Sequence, residues 1–201
     1  MDGPSRIANV SAALLLGGES TRMGRDKALL EIGGEPAAVR LAALLSSLFE
    51  DVMLVGGDPP ERAHGRRVPD AEGPRCALRG LATALASARE ERVLVLATDL
   101  MAMTPDLLLA LVAYPEADAV VPRAGGVAQP LCAIYRRVPA LSAARRSLAS
   151  GRLALMSVLD QLALRWLEGD DLAAVDPDGH ALRNVNTPDD YAQLAAREAR
   201  A

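Results

Sequence analysis

The chain has 201 residues, of which 50% are hydrophobic and 24% charged, a size and balance that suit one globular domain with a sizeable core. A formal net charge of -4 argues against a general nucleic-acid or membrane partner, and an aromatic share of 2% leaves few platforms for stacking bases. Two cysteines without metal-ligand spacing form no disulfide framework and suit a reducing cytoplasm, and no apolar run reaches the roughly 18 residues of a membrane span.

Residues 1–9 read as a short disordered lead, without the basic leader and small-residue cleavage site of a signal peptide. Residues 10–16 form a continuous apolar run, the pattern of a parallel strand buried on both faces. That strand runs straight into Gly17-Gly18-Glu19-Ser20-Thr21-Arg22-Met23-Gly24-Arg25-Asp26-Lys27. Gly17, Gly18 and Gly24 let backbone N–H groups face an anion closely, while Arg22, Arg25 and Lys27 supply positive charge. The spacing is neither a Walker loop, which would place Lys-Ser/Thr directly after Gly24, nor the dinucleotide pattern G-x-G-x-x-G.

Pro36 opens a predicted helix to about Phe49, with Leu41, Leu44, Leu45 and Leu48 on one face. Residues 52–55 are a second strand, closed by Gly56-Gly57-Asp58-Pro59-Pro60. Residues 61–75 read as a long polar surface loop, and loops of that length in compact domains are usually functional. A helix over 78–89 leads to the strand 93–97, which ends at Thr98-Asp99. Thr104 caps a helix that starts with Pro105 and runs to about Ala113.

Strands are expected at 119–121 and 131–135 around a turn at Ala124-Gly125-Gly126, with Cys132 in the core. Helices at 139–147 and 154–162, a strand at 164–167 and a helix capped by Thr187 and running to about Glu198 complete the pattern. Strands alternating with helices define an α/β protein with a mainly parallel sheet, and no linker or repeat divides it. In such sheets ligands bind beyond the carboxyl ends of the strands, where the Gly17–Lys27 loop, Asp70 and Asp99 fall. Read from its position alone, Asp99 either holds a hard cation such as Mg²⁺ or caps the turn to the next helix.

The first loop matches G-G-x-x-x-R-M-G-x-D-K, the signature of nucleotidyltransferases with a Rossmann-like fold. Its version here most closely resembles that of the molybdenum cofactor guanylyltransferases. Three more segments extend the resemblance over nearly the whole chain: Thr98-Asp99-Leu100, the run Gln129-Pro130-Leu131-Cys132-Ala133-Ile134-Tyr135, and Asn184-Val185-Asn186-Thr187-Pro188-Asp189-Asp190. The resemblance implies transfer of GMP from GTP to the phosphate of molybdopterin or molybdenum-molybdopterin, with release of pyrophosphate. It implies Leu15, Leu16 and Gly17 at the base or ribose, Gly18, Gly24 and Lys27 at the phosphates, Asp70 at the nucleoside and Asp99 on Mg²⁺. Lys27, Asp99 and Arg22 would be the catalytic residues.

The same resemblance divides the domain into a nucleotide half, about 10–122, and a molybdopterin half, about 123–201, with Gln129, Pro130, Asn184 and Asn186 near the acceptor. It also implies handover to molybdenum-insertion proteins or acceptor molybdoenzymes. The residues Thr187-Pro188-Asp189-Asp190 are equally a good helix start in their own right, Arg136 and Arg137 read better as facing water, and His64 and His180 carry no assigned role.

Three positions depart from the family pattern. A G-P-L-x-G stretch that helps select guanine is replaced by Cys76-Ala77-Leu78-Arg79-Gly80, an expected asparagine is replaced around Gly56-Gly57, and a proline after the metal aspartate is Met101. These leave open a cytidylyl- or sugar-phosphate nucleotidyltransferase of the same fold, or a non-catalytic nucleotide-binding accessory protein.

Overall fold

The computed structural model describes residues 6–16 and 27–199. The first strand, β1 (Ile7–Leu15), starts earlier than expected, so that Ile7, Ala8 and Asn9 belong to the sheet rather than to a lead. Every residue from Val10 to Leu16 is buried. Val10, Ala12, Leu14 and Leu16 face one core layer, and Ala13 and Leu15 the other, which is why the run is apolar without alternation.

A 3-10 turn at Lys27–Leu29 leads to a hairpin of β2 (Glu31–Ile32) and β3 (Glu35–Pro36). This hairpin turns on Gly33 and Gly34, whose φ angles of +61° and +83° suit glycine. Then come α1 (Ala37–Leu48), β4 (Phe49–Val55) and β5 (Arg66–Val68). β5 lies inside the segment expected to be all loop. It is an edge strand of two arginines and one buried side chain, Val68, followed by Pro69, so its pattern carries no strand signal.

Next are α2 (Ala77–Ser87), β6 (Arg92–Ala97), α3 (Pro105–Val112) and β7 (Ala119–Ala124). The short β8 (Val127–Ala128) folds back on β7 and precedes β9 (Cys132–Arg136). The remaining elements are α4 (Arg137–Ala149), α5 (Met156–Leu159), β10 (Leu164–Leu167), α6 (Gly169–Ala173) and α7 (Pro188–Glu198). The helix expected over 154–162 is a single turn, α5, ending in hydrogen-bonded turns at Gln161 and Leu162.

The described strands of the main sheet lie in the order β10-β7-β9-β6-β1-β4-β5. All run parallel except β9, which is antiparallel to both β6 and β7. From β1 the chain moves out to β4 and β5, then returns past β1 to β6, so the strand order reverses at β1. Helices cover both faces: α1 and α3 pack on one core layer, and α2, α4 and α5 on the other. A third, smaller cluster joins Leu30, Ile32, Ala37, Met101 and Val185 and receives Tyr191 and Leu194 of α7. Cys132 is wholly buried, and burial pushes its thiol well above the usual range, as expected of a core residue.

Candidate functional site

The reversal at β1 opens a crevice at the carboxyl ends of β1 and β6, the place where open α/β sheets bind ligands. The crevice is fixed by backbone bonds: Leu16 N–H donates to Val55 O at 2.9 Å and Thr98 N–H to Leu15 O at 3.3 Å. Glycines follow β4 because the crevice is crowded. Gly56 and Gly57 have φ of +70° and +56°; a Cβ on Gly57 would stand 3.0 Å from Leu16 Cβ, and one on Gly56 2.9 Å from an Asp70 oxygen. The asparagine missing here is thus replaced by residues whose lack of a side chain lets Asp70 and Leu16 come close.

Asp99 follows β6 with its carboxylate 29% exposed, and Lys27 Nζ stands 3.9 Å from its Oδ2. Burial raises the Asp99 pKa above the ordinary aspartate value, opposed by the Lys27 charge and by a backbone hydrogen bond. Lys27 Nζ also donates to Asn186 Oδ1 at 2.5 Å, across a sequence separation of 159 residues. Val185 N–H donates to the Asp99 carbonyl at 2.8 Å. Two residues of the fourth motif are therefore hydrogen-bonded to the lysine and the aspartate that the first two contribute.

The Asn184–Thr187 stretch is held in turn by α7. Thr187 and Asp190 form a capping box, the Thr187 hydroxyl accepting from Asp190 N–H and the carboxylate accepting from Asn186 and Thr187 N–H. The Asn186 N–H bond, followed by the Thr187 bonds, holds the Asp190 carboxyl below the usual range. Beside this capped end lies a cavity of about 310 Å³, lined in part by Ala102, Asn184, Val185, Arg183 and Arg197. His180 lines it as well, although its sequence gave no such signal.

Gln129 sits behind the same loop, its amide donating to Leu182 O at 3.5 Å, and the Pro130 carbonyl accepts from Tyr135 Oη at 2.6 Å. Asp70 lies beyond β5 at the far end of the edge, its carboxylate bound to Arg79 at 2.8 Å. Leu15 and Leu16 stand at the carboxyl end of β1, between Asp99 and Asp70 along the sheet, with their side chains buried in the core layers. Gly17, Gly18, Arg22 and Gly24 lie outside the described residues. Sequence reasoning did not find the Val185 backbone contact, which leaves no mark on side-chain type, or the part played by Arg79.

One carboxylate beside a lysine is a suitable donor set for Mg²⁺, which usually takes one or two carboxylates and completes its shell with substrate phosphates and water. Among the described residues no group of three or more His, Cys, Asp or Glu is arranged to hold a metal by protein ligands alone. Asp99 therefore fits a cation shared with a polyphosphate. Among the described residues no helix is long and apolar enough to cross a membrane.

A family model described as a MobA-like NTP transferase domain matches residues 12–166. A protein of Chloroflexus aggregans named probable molybdenum cofactor guanylyltransferase is 35% identical over 202 residues, covering 93% of this chain and 94% of its own. Its counterpart from Pelotomaculum thermopropionicum, with the same name, is 32% identical over 187 residues, covering 92% and 91%. Among solved structures, molybdopterin-guanine dinucleotide biosynthesis protein A from Archaeoglobus fulgidus superposes with a TM-score of 0.82 at 21% identity, over 95% of this chain and 100% of that one.

Proposed function

We propose, for a chain that belongs to the MobA-like NTP transferase family, that it transfers GMP from GTP to the phosphate of molybdopterin or molybdenum-molybdopterin and releases pyrophosphate. The observation that carries this reading is the convergence of Lys27, Asp99 and Asn186 at the sheet's reversal point. The names of relatives at about one-third identity over nearly the full chain supply the substrates.

The acceptor's phosphate is an anion near neutral pH and needs no general base. Its oxygen attacks the α-phosphorus of GTP; a new P–O bond forms as the bond to the bridging oxygen breaks, and pyrophosphate leaves with that electron pair. The obstacle is repulsion between anions and charge gathering on the leaving group. Lys27 lies within reach of both the Asp99 carboxylate and Asn186, so its ammonium can follow that charge. Asp99 would hold Mg²⁺, which when bound draws charge from the phosphate oxygens. Gly17, Gly18, Gly24 and Arg22 would add donors to the phosphates, and Leu15, Leu16 and Asp70 would face the nucleoside.

The cavity beside α7 suits the acceptor, because it opens next to Asn186 and carries Arg183 and Arg197. Asn184 lines it and Gln129 braces its wall through Leu182; with Pro130 they form the acceptor side. The free thiols of Cys76 and Cys132 suit the proposed cytoplasmic setting.

Pyrophosphate release tests the reading, with Mg²⁺, molybdopterin and each nucleoside triphosphate in turn. Turnover with GTP alone is the expected result. Turnover with CTP alone would make the chain a cytidylyltransferase, and binding without release would leave a nucleotide-binding accessory protein.

A further inference from the structure

The stretch Cys76-Ala77-Leu78-Arg79-Gly80 departs at Cys76 and Ala77 from the expected G-P-L-x-G, and the structure gives the arginine at its open position specific partners. Arg79 sits in the first turn of α2 with its side chain 17% exposed. One end of its guanidinium, Nη2, donates to Asp70 Oδ2 at 2.8 Å, and Nη1 donates to the Gly73 carbonyl at 3.0 Å. A second side chain of the helix reinforces the attachment: Ala71 N–H donates to Thr83 Oγ1 at 3.2 Å. On the opposite side Asp70 rests against Gly56, where a Cβ would stand 2.9 Å from its oxygen. The carboxylate is thus held between a glycine floor and a guanidinium.

Its place along the sheet edge gives this arrangement meaning. The neighbours at the edge run β6, β1, β4, β5. Asp99 follows β6 and Asp70 follows β5, three strand spacings or about 14 Å apart. A triphosphate anchored at Lys27 and Asp99 and extended across β1 and β4 brings its nucleoside to Asp70. With Oδ2 committed to Arg79, Oδ1 is the oxygen that would accept from a nucleoside donor. Arg79 also has a buried Nε without a hydrogen-bond partner, a cost its other two donors offset.

We propose that Arg79 is a positioning residue for nucleotide recognition: it holds the Asp70 carboxylate, and with it residues 70–73, against the nucleoside end of the bound triphosphate. This rests on the nucleotidyl-transfer reading of the crevice. Arg79 acts through Asp70, so its influence falls on the nucleoside and leaves the phosphates alone.

Calorimetric titration with Mg²⁺ tests it. The wild-type protein is first titrated with GTP, ATP, CTP and UTP. A preference for a base other than guanine would overturn the guanylyl reading, while the Arg79 proposal is then read on the triphosphate preferred. Arg79→Met and Asp70→Asn should each weaken that nucleotide by roughly 30-fold, the scale of a hydrogen bond to a charged group. The double variant should be no weaker than either single one, because both remove the same contact. Arg79→Lys, able to keep the bond to Asp70, should recover part of the affinity.

Inorganic tripolyphosphate should bind all four variants as it binds wild type. Melting temperatures separate a folding defect from a binding one, since the folded fraction of a merely weakened protein keeps its Kd. Nucleotide affinity within threefold of wild type in Arg79→Met, multiplied losses in the double variant, or an equal loss of tripolyphosphate would each overturn the proposal, as would a wild-type protein that binds none of the four.

Discussion

β1 and α7 both deliver residues to the crevice, yet they are held in place by different forces. β1 is buried from Val10 onward, paired on both sides, and covered on both faces by helices. α7 has no buried residue at all. It is fastened by Tyr191 and Leu194 at the rim of the small cluster, by the Tyr191 hydroxyl donating to the Glu31 carbonyl, and by Arg40 gripping Glu198 at 2.6 and 3.0 Å. The end of the crevice proposed for phosphate is therefore part of the core, whereas the end proposed for the acceptor is docked onto it largely through polar contacts. A preformed phosphate site suits electrostatic stabilisation of the transition state. A docked helix suits a site that must admit a bulky partner, because regions with few buried contacts open at low cost.

The contrast can be broken most sharply at Asp99. Asp99→Ala should lower Mg²⁺-dependent pyrophosphate release by about 1,000-fold, the several kcal/mol expected of a positioned cation, with the fold intact by circular dichroism. Unchanged turnover would remove Asp99 from the metal site. Leu14→Ala should cost about 3 kcal/mol in denaturant unfolding, lost in one transition that takes both regions together. A separate early transition of the strand region would refute its place in the shared core.

Smaller effects belong to α7. Thr187→Ala removes the cap and should cost about 1 kcal/mol, with faster amide exchange over 187–198 and none added in β1. Equal acceleration in β1 would mean that α7 is integral to the core. Arg40→Ala breaks a pair that is partly open to water and should cost only about 0.5 kcal/mol.

The smallest expected effect concerns pH. Burial raises the Asp99 pKa in the folded state, so protonation of this group favours folding; that contribution is complete at low pH and lost as pH rises through the raised value. Asp99→Asn should therefore slightly raise the melting temperature near neutral pH, with the gain fading as the solution is acidified. A gain independent of pH would exclude burial of the charge as its cause.

The elements most legible in the sequence are those whose local chemistry agrees with their packing. The apolar run of β1, the Thr104-Pro105 start of α3 and the Thr187 cap of α7 each carry a signal that tertiary structure does not override. β5 and the hairpin of β2 and β3 were hidden because two or three residues at an edge have too little periodicity to register. The short α6, which follows β10 directly, was unread for the same reason.

In the site, Lys27 and Asp99 were readable because glycine-rich turns and strand-end carboxylates are marked by residue type. A motif singled out Asn186 only for the acceptor side; its bond to Lys27 comes from the fold, since no local rule pairs positions 159 apart. Arg79 falls on the unconstrained position of the altered 76–80 stretch, and its partner Asp70 lies across a loop whose path the sequence does not set.

That long separation between Lys27 and Asn186 orders the making of the protein as well as its chemistry. Read out from its N-terminal side, the chain has β1, β4, β5 and β6 in hand by residue 97, although β6 still awaits its neighbour β9. Asn186 emerges on the order of ten seconds later at ordinary rates of synthesis. Until then Lys27 lacks the asparagine that ties it to the C-terminal part of the chain, so a growing chain would complete the side of the crevice proposed for the nucleotide before the side proposed for its acceptor.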